Sequence, residues 1–198
     1  TVSTALLRWT RERIPDAGST APDTAGNGSL MRLAPVSIRY WAEADLRREI
    51  AAKQSRTTHG APEAVDACIY YADRLAEAID GTAEPEVLRP IASSFAGKIQ
   101  AIALGDWRGK KRHQVRGTGY VADALEAALW CVRTGATFRE TVLLAANLRE
   151  DADTTAAIAG QLAGALYGAR AIPEEWLQKL AWRSRIESTA RALFDASL

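Results

Sequence analysis

The sequence predicts an all-α protein, a compact multi-helix bundle, and three observations carry that prediction. Apolar residues recur at helical spacing along most of the chain; alternating β-branched runs bounded by tight turns are nearly absent; and proline and glycine fall where helices begin and end. With 198 residues and 47% hydrophobic content, the chain can bury one sizeable core. A single domain over residues 1–198 is expected.

The elements follow in chain order. A helix over Val2–Glu12 opens the sequence directly, with no initiator Met and no leading cap, so the chain reads as lacking an N-terminal part. Ile14 to Gly28, rich in Pro, Asp, Thr, Ala and Gly, resists a helical reading, and the LMRLAPVSI stretch behind it regains helical character. Helices are then predicted over Glu43–Gln54 and Pro62–Ile79, with Pro62 at a first turn and Asp80-Gly81 as the stop. Pro85–Ala103 is predicted as one helix. Gly105–Gly119, with four Gly and five Lys/Arg, reads as a long loop of the kind that often carries function. Tyr120–Arg133, Phe138–Asn147, Thr154–Tyr167 and Glu174–Ala192 complete the set, with Gly135 and Gly168 as stops.

Composition narrows the function classes. The formal charge is +1, so no global field favours nucleic acid or an anionic membrane. The basic run Arg108, Lys110, Lys111, Arg112, His113 and Arg116 either steers an anionic ligand or is plain solvated charge. It lacks interleaved aromatics, and no specific nucleic acid is expected. No segment reads as a signal peptide or membrane span, which leads to the expectation of a cytoplasmic protein without a membrane partner. Cys68 and Cys131 lie far apart and are expected as buried free thiols.

Asp151-Ala152-Asp153-Thr154 offers two carboxylates and a hydroxyl just ahead of a helix, a donor set that suits a hard cation such as Mg²⁺. The same residues serve equally as a helix cap and a first-turn acid. Behind them Ala156, Gly160, Gly164 and Gly168 repeat every fourth residue, giving a smooth face against which another helix can pack closely. Gly26-Asn27-Gly28-Ser29 is a Gly-rich turn that either presents main-chain N–H groups to phosphate or is ordinary turn chemistry. Arg32 suits phosphate or an ion pair. His59, in Ser55-Arg56-Thr57-Thr58-His59-Gly60, sits at a helix junction, to position a hydroxyl or phosphate or to cap. Gly117-Thr118-Gly119-Tyr120 places an aromatic ring at a helix start beside two glycines, free to lie on a ligand ring or to join the core.

The order of these segments is more specific than any one of them. GNGSLMRLAPVSI, SRTTHGAPEAV, GTGYVADALEAALW, NLREDADTTAAIAGQLAGALYG and IPEEW together resemble the ADP-ribosylglycohydrolase family, including its dinitrogenase reductase-activating members. The resemblance runs from Thr1 to about Trp182, and D-A-D-T-x-A-I-A-G is its most specific part. It implies an all-α ADP-ribosylglycohydrolase-like bundle that removes ADP-ribose from a protein side chain, arginine above all, by cleaving the glycosidic bond at the distal ribose. It also implies two Mg²⁺ or Mn²⁺ ions in the complete protein, with Asp151, Asp153 and Thr154 as metal ligands and Asp151 and Asp153 as catalytic acids. Thr24, Gly26, Asn27, Gly28 and Ser29 would cradle the ribose or diphosphate, and His59, Gly119 and Tyr120 would line the cleft.

Two departures stand out. The family's G-D-A-L-G-like and T-D-D-T-like motifs, whose acids complete the metal site, have no match in this sequence. They would come from a missing N-terminal segment or a second chain; the alternative is a truncated or degenerate ADP-ribose-binding module without turnover. Arg149-Glu150 also replaces residues that in the family are often small, commonly Gly.

Overall fold

The computed structural model describes residues 1–197; Leu198, the last residue of the expected domain, lies outside the described residues. Eleven α-helices and three short 3-10 turns make up its regular structure, and the only β-type pairings among the described residues are two isolated bridges. The all-α expectation holds.

Helices α1 (Val2–Glu12), α2 (Ala34–Arg39), α3 (Ala44–Arg56) and α4 (Pro62–Ile79) form the first half. Pro62 sits at the first turn of α4, where its missing N–H removes no helical bond. Helices α5 (Glu84–Val87), α6 (Gly97–Ala103), α7 (Val121–Thr134) and α8 (Phe138–Ala146) follow, then α9 (Ala152–Tyr167), α10 (Glu174–Leu177) and α11 (Arg183–Asp195). Thr137 caps α8 by accepting a hydrogen bond from the Glu140 N–H.

The core lies where α4, α7 and α9 meet, with α3 packed on α4 and α8 on α9. Tyr71, Leu75, Leu125, Leu129, Ile158 and Leu162 are all but completely buried there. The Tyr71 hydroxyl donates to the Ile158 carbonyl at 2.6 Å, so the largest polar group of this core is satisfied. The smooth face of α9 meets α8: a Cβ on Gly160 would lie 3.8 Å from Val142, and one on Gly164 3.9 Å from Phe138. Cys68 and Cys131 are buried free thiols, as expected.

Two predicted helices are broken. Pro85–Ala103 separates into α5 and α6, joined by a non-helical segment. Pro90 falls inside the predicted span, where it can neither donate to the helical ladder nor avoid the carbonyl four residues earlier. Gly97 restarts the helix with φ of 50°, and a Cβ there would strike the Glu63 carboxylate. Glu174–Ala192 is broken at Trp182, whose φ of 60° redirects the chain. From there α11 turns back onto α2, and Phe194 stacks on Trp41 with ring centroids 6.0 Å apart. No Gly or Pro marks this second break, and packing on α2 wins over local helical preference.

The loop over Gly105–Gly119 is tied down throughout. Trp107 is buried with its indole N–H donating to the Ile102 carbonyl at 3.1 Å. Four of its five Lys/Arg side chains are engaged within the protein: Arg108 on the Leu88 carbonyl, Lys110 on Glu126, Arg112 on the Asn147 carbonyl and Arg116 on Glu150. These cations staple the loop to α5, α7 and the turn before α9.

Candidate functional site

Three segments far apart in sequence meet at the N-terminal ends of α7 and α9. The Asn27 N–H donates to the Gly119 carbonyl at 3.0 Å, and the Val121 N–H donates to the Ala25 carbonyl at 2.9 Å. Those two bonds form the antiparallel bridge between Gly26 and Tyr120. On the other side, the Asp151 N–H donates to the Gly117 carbonyl at 2.8 Å. Gly117 is packed so tightly that a Cβ would come within 2.7 Å of the Thr155 hydroxyl oxygen. The GNG, GTGY and DADT segments thus form one cradle of main chain.

The Asn27 side chain links the three. Its Nδ2 donates to Asp151 Oδ2 at 2.7 Å and to the Thr118 carbonyl at 3.2 Å. Asp151 occupies the N-cap position of α9, yet its side chain makes no capping bond. Among the described residues its other oxygen, Oδ1, accepts no hydrogen bond. The capping role open to Asp151 in the sequence is therefore not the one it takes. Asp153 is exposed in the first turn and accepts from the adjacent Thr154 N–H at 2.9 Å. Two carboxylates and the half-buried Thr154 hydroxyl share this helix end, a chemistry of hard oxygen donors. Among the described residues, no three His, Cys, Asp or Glu side chains cluster as a metal site. Arg149 and Glu150, just before it, both adopt left-handed backbone with φ of 68° and 58°, a conformation that a small residue such as Gly takes at less cost.

His59 supports the cradle from below and is only 3% exposed. Its ring lies against the glycines of the turn: a Cβ on Gly28 would come within 2.7 Å of Cε1, and one on Gly26 within 3.3 Å of Nε2. The Thr58 hydroxyl stands 2.8 Å from Nδ1 and also accepts from Arg32 Nη2 at 2.8 Å. Arg32 can only donate, so the one hydroxyl proton of Thr58 is free to point at Nδ1, which places the ring proton on Nε2. Burial, reinforced by the Arg32 charge, pushes the His59 pKa down to about 4. The ring is therefore neutral, with Nε2–H toward the GNG turn. Arg32 is spent on this support and on Gln54, to which it donates at 3.1 and 2.9 Å.

The remaining predicted residues divide. Thr24 is half-buried and closes its own turn by donating to the Ala21 carbonyl at 2.6 Å. Ser29 is completely buried, its hydroxyl bonded to Ser55 at 2.9 Å, so it props the turn from within. Gly119 lines the cradle: a Cβ there would stand 3.9 Å from Asp151 Oδ2. Tyr120 is half-buried and donates to the Glu63 carboxylate, while Lys98 lies 5.0 Å from its ring centroid. Burial and that carboxylate raise the Tyr120 pKa well above the usual phenol value. Lys98 and Asp123 also border a polar cavity of about 220 Å³ beside the cradle.

Sequence reasoning missed Glu63, Lys98 and Gly18. Glu63 looks like any first-turn acid, yet it receives Tyr120 and the Lys98 N–H at 2.7 Å. At Gly18 a Cβ would meet the His59 main chain at 2.6 Å, a close approach no local pattern announces.

A model of the ADP-ribosylglycohydrolase family matches residues 1–198. The chain belongs to the ADP-ribosylglycohydrolase family. It is 46% identical over 193 residues to the ADP-ribosylarginine hydrolase Tri1 of Pseudomonas putida, and 39% identical over 196 residues to Tri1 of Serratia proteamaculans. Those alignments take in 96% and 98% of this chain but 52% and 53% of the relatives, so the chain spans about half the length of these curated relatives. The ADP-ribosyl-[dinitrogen reductase] glycohydrolase of Rhodospirillum rubrum is 30% identical over 201 residues, covering all of this chain and 65% of that protein. Among solved structures, an ADP-ribosylglycohydrolase-related protein complex superposes with a TM-score of 0.91 at 38% identity, over all of this chain and 69% of that one. This places the family's fold on the whole described chain.

Proposed function

We propose that the protein removes ADP-ribose from ADP-ribosylated arginine side chains by hydrolysing the glycosidic bond at the distal ribose. Family membership and the likeness to the ADP-ribosylarginine hydrolases Tri1 support the substrate class. The observation that carries the assignment to this site is the Asp151 carboxylate. It stands at a helix N-terminus without capping it, and a residue 124 positions away in sequence holds it in place.

Asp151, Asp153 and Thr154 would hold Mg²⁺ or Mn²⁺, with Asn27 fixing the orientation of Asp151. A bound divalent ion supplies Lewis acidity, orients the ribose hydroxyls and lowers the pKa of a coordinated water. Gly26, Asn27, Gly28 and Gly119 would form the surface on which the ribose and diphosphate lie: the missing Cβ atoms of Gly26 and Gly28 make room for the supporting His59 ring, and exposed Gly119 leaves its main chain open to a ligand. His59 remains neutral at physiological pH and stiffens that surface. The Tyr120 ring flanks the sugar, oriented by Glu63. The free buried thiols support a reducing, cytoplasmic setting, and no described helix is long and apolar enough to cross a membrane.

The test is release of ADP-ribose from an ADP-ribosylated arginine protein by the full-length protein, with and without Mg²⁺ or Mn²⁺. Metal-dependent release that is lost in Asp151→Ala and Asp153→Ala, with helical content retained, supports the assignment. Metal binding and turnover unchanged in both variants would reduce the carboxylates to helix-end acids. ADP-ribose binding without turnover in the wild type would instead identify a binding module.

A further inference from the structure

Glu150 stands immediately before Asp151, and among the described residues its carboxylate has one partner, Arg116. Arg116 Nη2 lies 3.2 Å from each carboxylate oxygen, and its Nε lies 3.3 Å from Oε1. Both side chains are exposed, so the pair contributes little to stability and separates readily. The other carboxylates around the cradle are held differently. Glu63 receives the Tyr120 hydroxyl and the Lys98 N–H, and Asp123 accepts from the Thr118 hydroxyl at 3.0 Å. Asp151 is clamped by Asn27. Glu150 alone in this group faces a solvent-exposed guanidinium, which another guanidinium can replace.

The turn itself does not need this carboxylate. The Asp151 N–H bond to the Gly117 carbonyl already joins the segment to the loop before α7, and Glu150 keeps a left-handed backbone, φ 58°, that glycine would take at less cost. Arg149, exposed beside it, makes no ion pair among the described residues and leaves the carboxylate to Arg116.

We propose that Glu150 selects the arginine side chain of the substrate, and that Arg116 holds the place of the substrate guanidinium until it arrives. The inference rests on the arginine-hydrolase reading. There the bond to be cut joins the distal ribose to a guanidinium nitrogen, so the guanidinium lies close to the proposed metal acids, the first of which adjoins Glu150. The substituted guanidinium keeps N–H groups on its free edge, and a carboxylate accepts two of them in parallel. ADP-ribose carries no guanidinium, so this contact reads the modified side chain and not the nucleotide.

The test is steady-state release of ADP-ribose from an ADP-ribosyl-arginine peptide by the full-length wild type, Glu150→Gln and Arg116→Ala, beside calorimetric titration of ADP-ribose and of the peptide into each. Glu150→Gln should raise KM for the peptide roughly tenfold or more with a smaller change in kcat, because the charge it meets is already present in the bound substrate. Its affinity for ADP-ribose should stay the same. Arg116→Ala should lower KM, since the competing guanidinium is gone. An unchanged KM in Glu150→Gln or an equal loss of ADP-ribose affinity would overturn the proposal. So would a rise in KM for Arg116→Ala as large as that for Glu150→Gln, which would make the pair a structural clasp. A wild type that binds the peptide without releasing ADP-ribose would refute the hydrolase reading alone, because the peptide affinities of the three proteins still read the Glu150 contact.

Discussion

Acidification should weaken the fold by charging His59, by an amount that can be worked out. In the folded protein the ring stays neutral to about pH 4, because it is buried beside Arg32, whereas an unfolded histidine takes up its proton near 6.5. Between those values the unfolded chain binds more protons than the folded one, so stability falls as pH falls. The contribution is fully present above pH 6.5 and is lost progressively down to about 4. At ~1.4 kcal/mol per pH unit, the loss amounts to roughly 2 kcal/mol at pH 5 and about 3 kcal/mol at the lower limit. Carboxylates titrate over part of the same range, so the measurement is a difference: urea unfolding of the wild type and of His59→Gln, each from pH 7 to pH 4.5. The carboxylate contribution is common to both. The stability gap between the two proteins should shrink by about 2 kcal/mol between pH 7 and pH 5. A gap that stays constant would mean that His59 protonates as readily in the fold as outside it, and the depressed pKa would be refuted.

Other substitutions probe the same architecture. Gly28→Ala forces a methyl group to within 2.7 Å of the His59 ring and should cost about 1–3 kcal/mol, while Gly26→Ala, at 3.3 Å, should cost less; thermal unfolding of the pair gives the order. Arg149→Gly relieves a left-handed non-glycine residue and should stabilise by about 0.5–1 kcal/mol, after the added unfolded-state entropy is subtracted; an unchanged or lower Tm would argue against strain there. Gly164→Ala should be neutral or slightly stabilising, because its methyl group meets Phe138 at ordinary contact distance. Gly164→Leu, by contrast, should drive α8 from α9 and cost about 1–3 kcal/mol, and equal midpoints for the two variants would show the interface to be plastic. Asn27→Ala removes the clamp on Asp151 and should weaken Mn²⁺ binding without unfolding the protein; unaltered affinity by calorimetry would separate the clamp from the metal.

What could be read from the sequence was whatever local pattern controls. Val2–Glu12 and Pro62–Ile79 match the structure at both ends, because a stop signal, a first-turn proline or a sustained apolar stripe fixes them. Pro90 was equally visible and outweighs the apolar spacing around it. The break at Trp182 was not visible, since it depends on α2 offering a surface to α11. The site shows the same division. Its glycines, His59 and the DADT acids stand out as residue types, whereas Glu63 acts through a tyrosine 57 positions away. Ser29, drawn into the binding set by its neighbours in the GNGS turn, is in fact its buried prop.

The turn before α9 is locally unfavourable, and that is the strongest physical argument for where function resides. An N-cap aspartate normally satisfies a helix N–H, a bond worth about 1 kcal/mol. Asp151 forgoes it. Two consecutive non-glycine residues just before it sit in left-handed backbone, each at a further cost of order 1 kcal/mol. Nothing in the helix itself rewards this arrangement; a slightly different turn would cap α9 and relax Arg149 and Glu150. The turn is held instead by bonds to elsewhere in the chain: the Asp151 N–H donates to the Gly117 carbonyl, and the Asn27 side chain donates to the Asp151 carboxylate. Strain kept in place by such distant contacts is what the metal-holding role proposed for Asp151 would require, since that role depends on what the side chain presents rather than on stability.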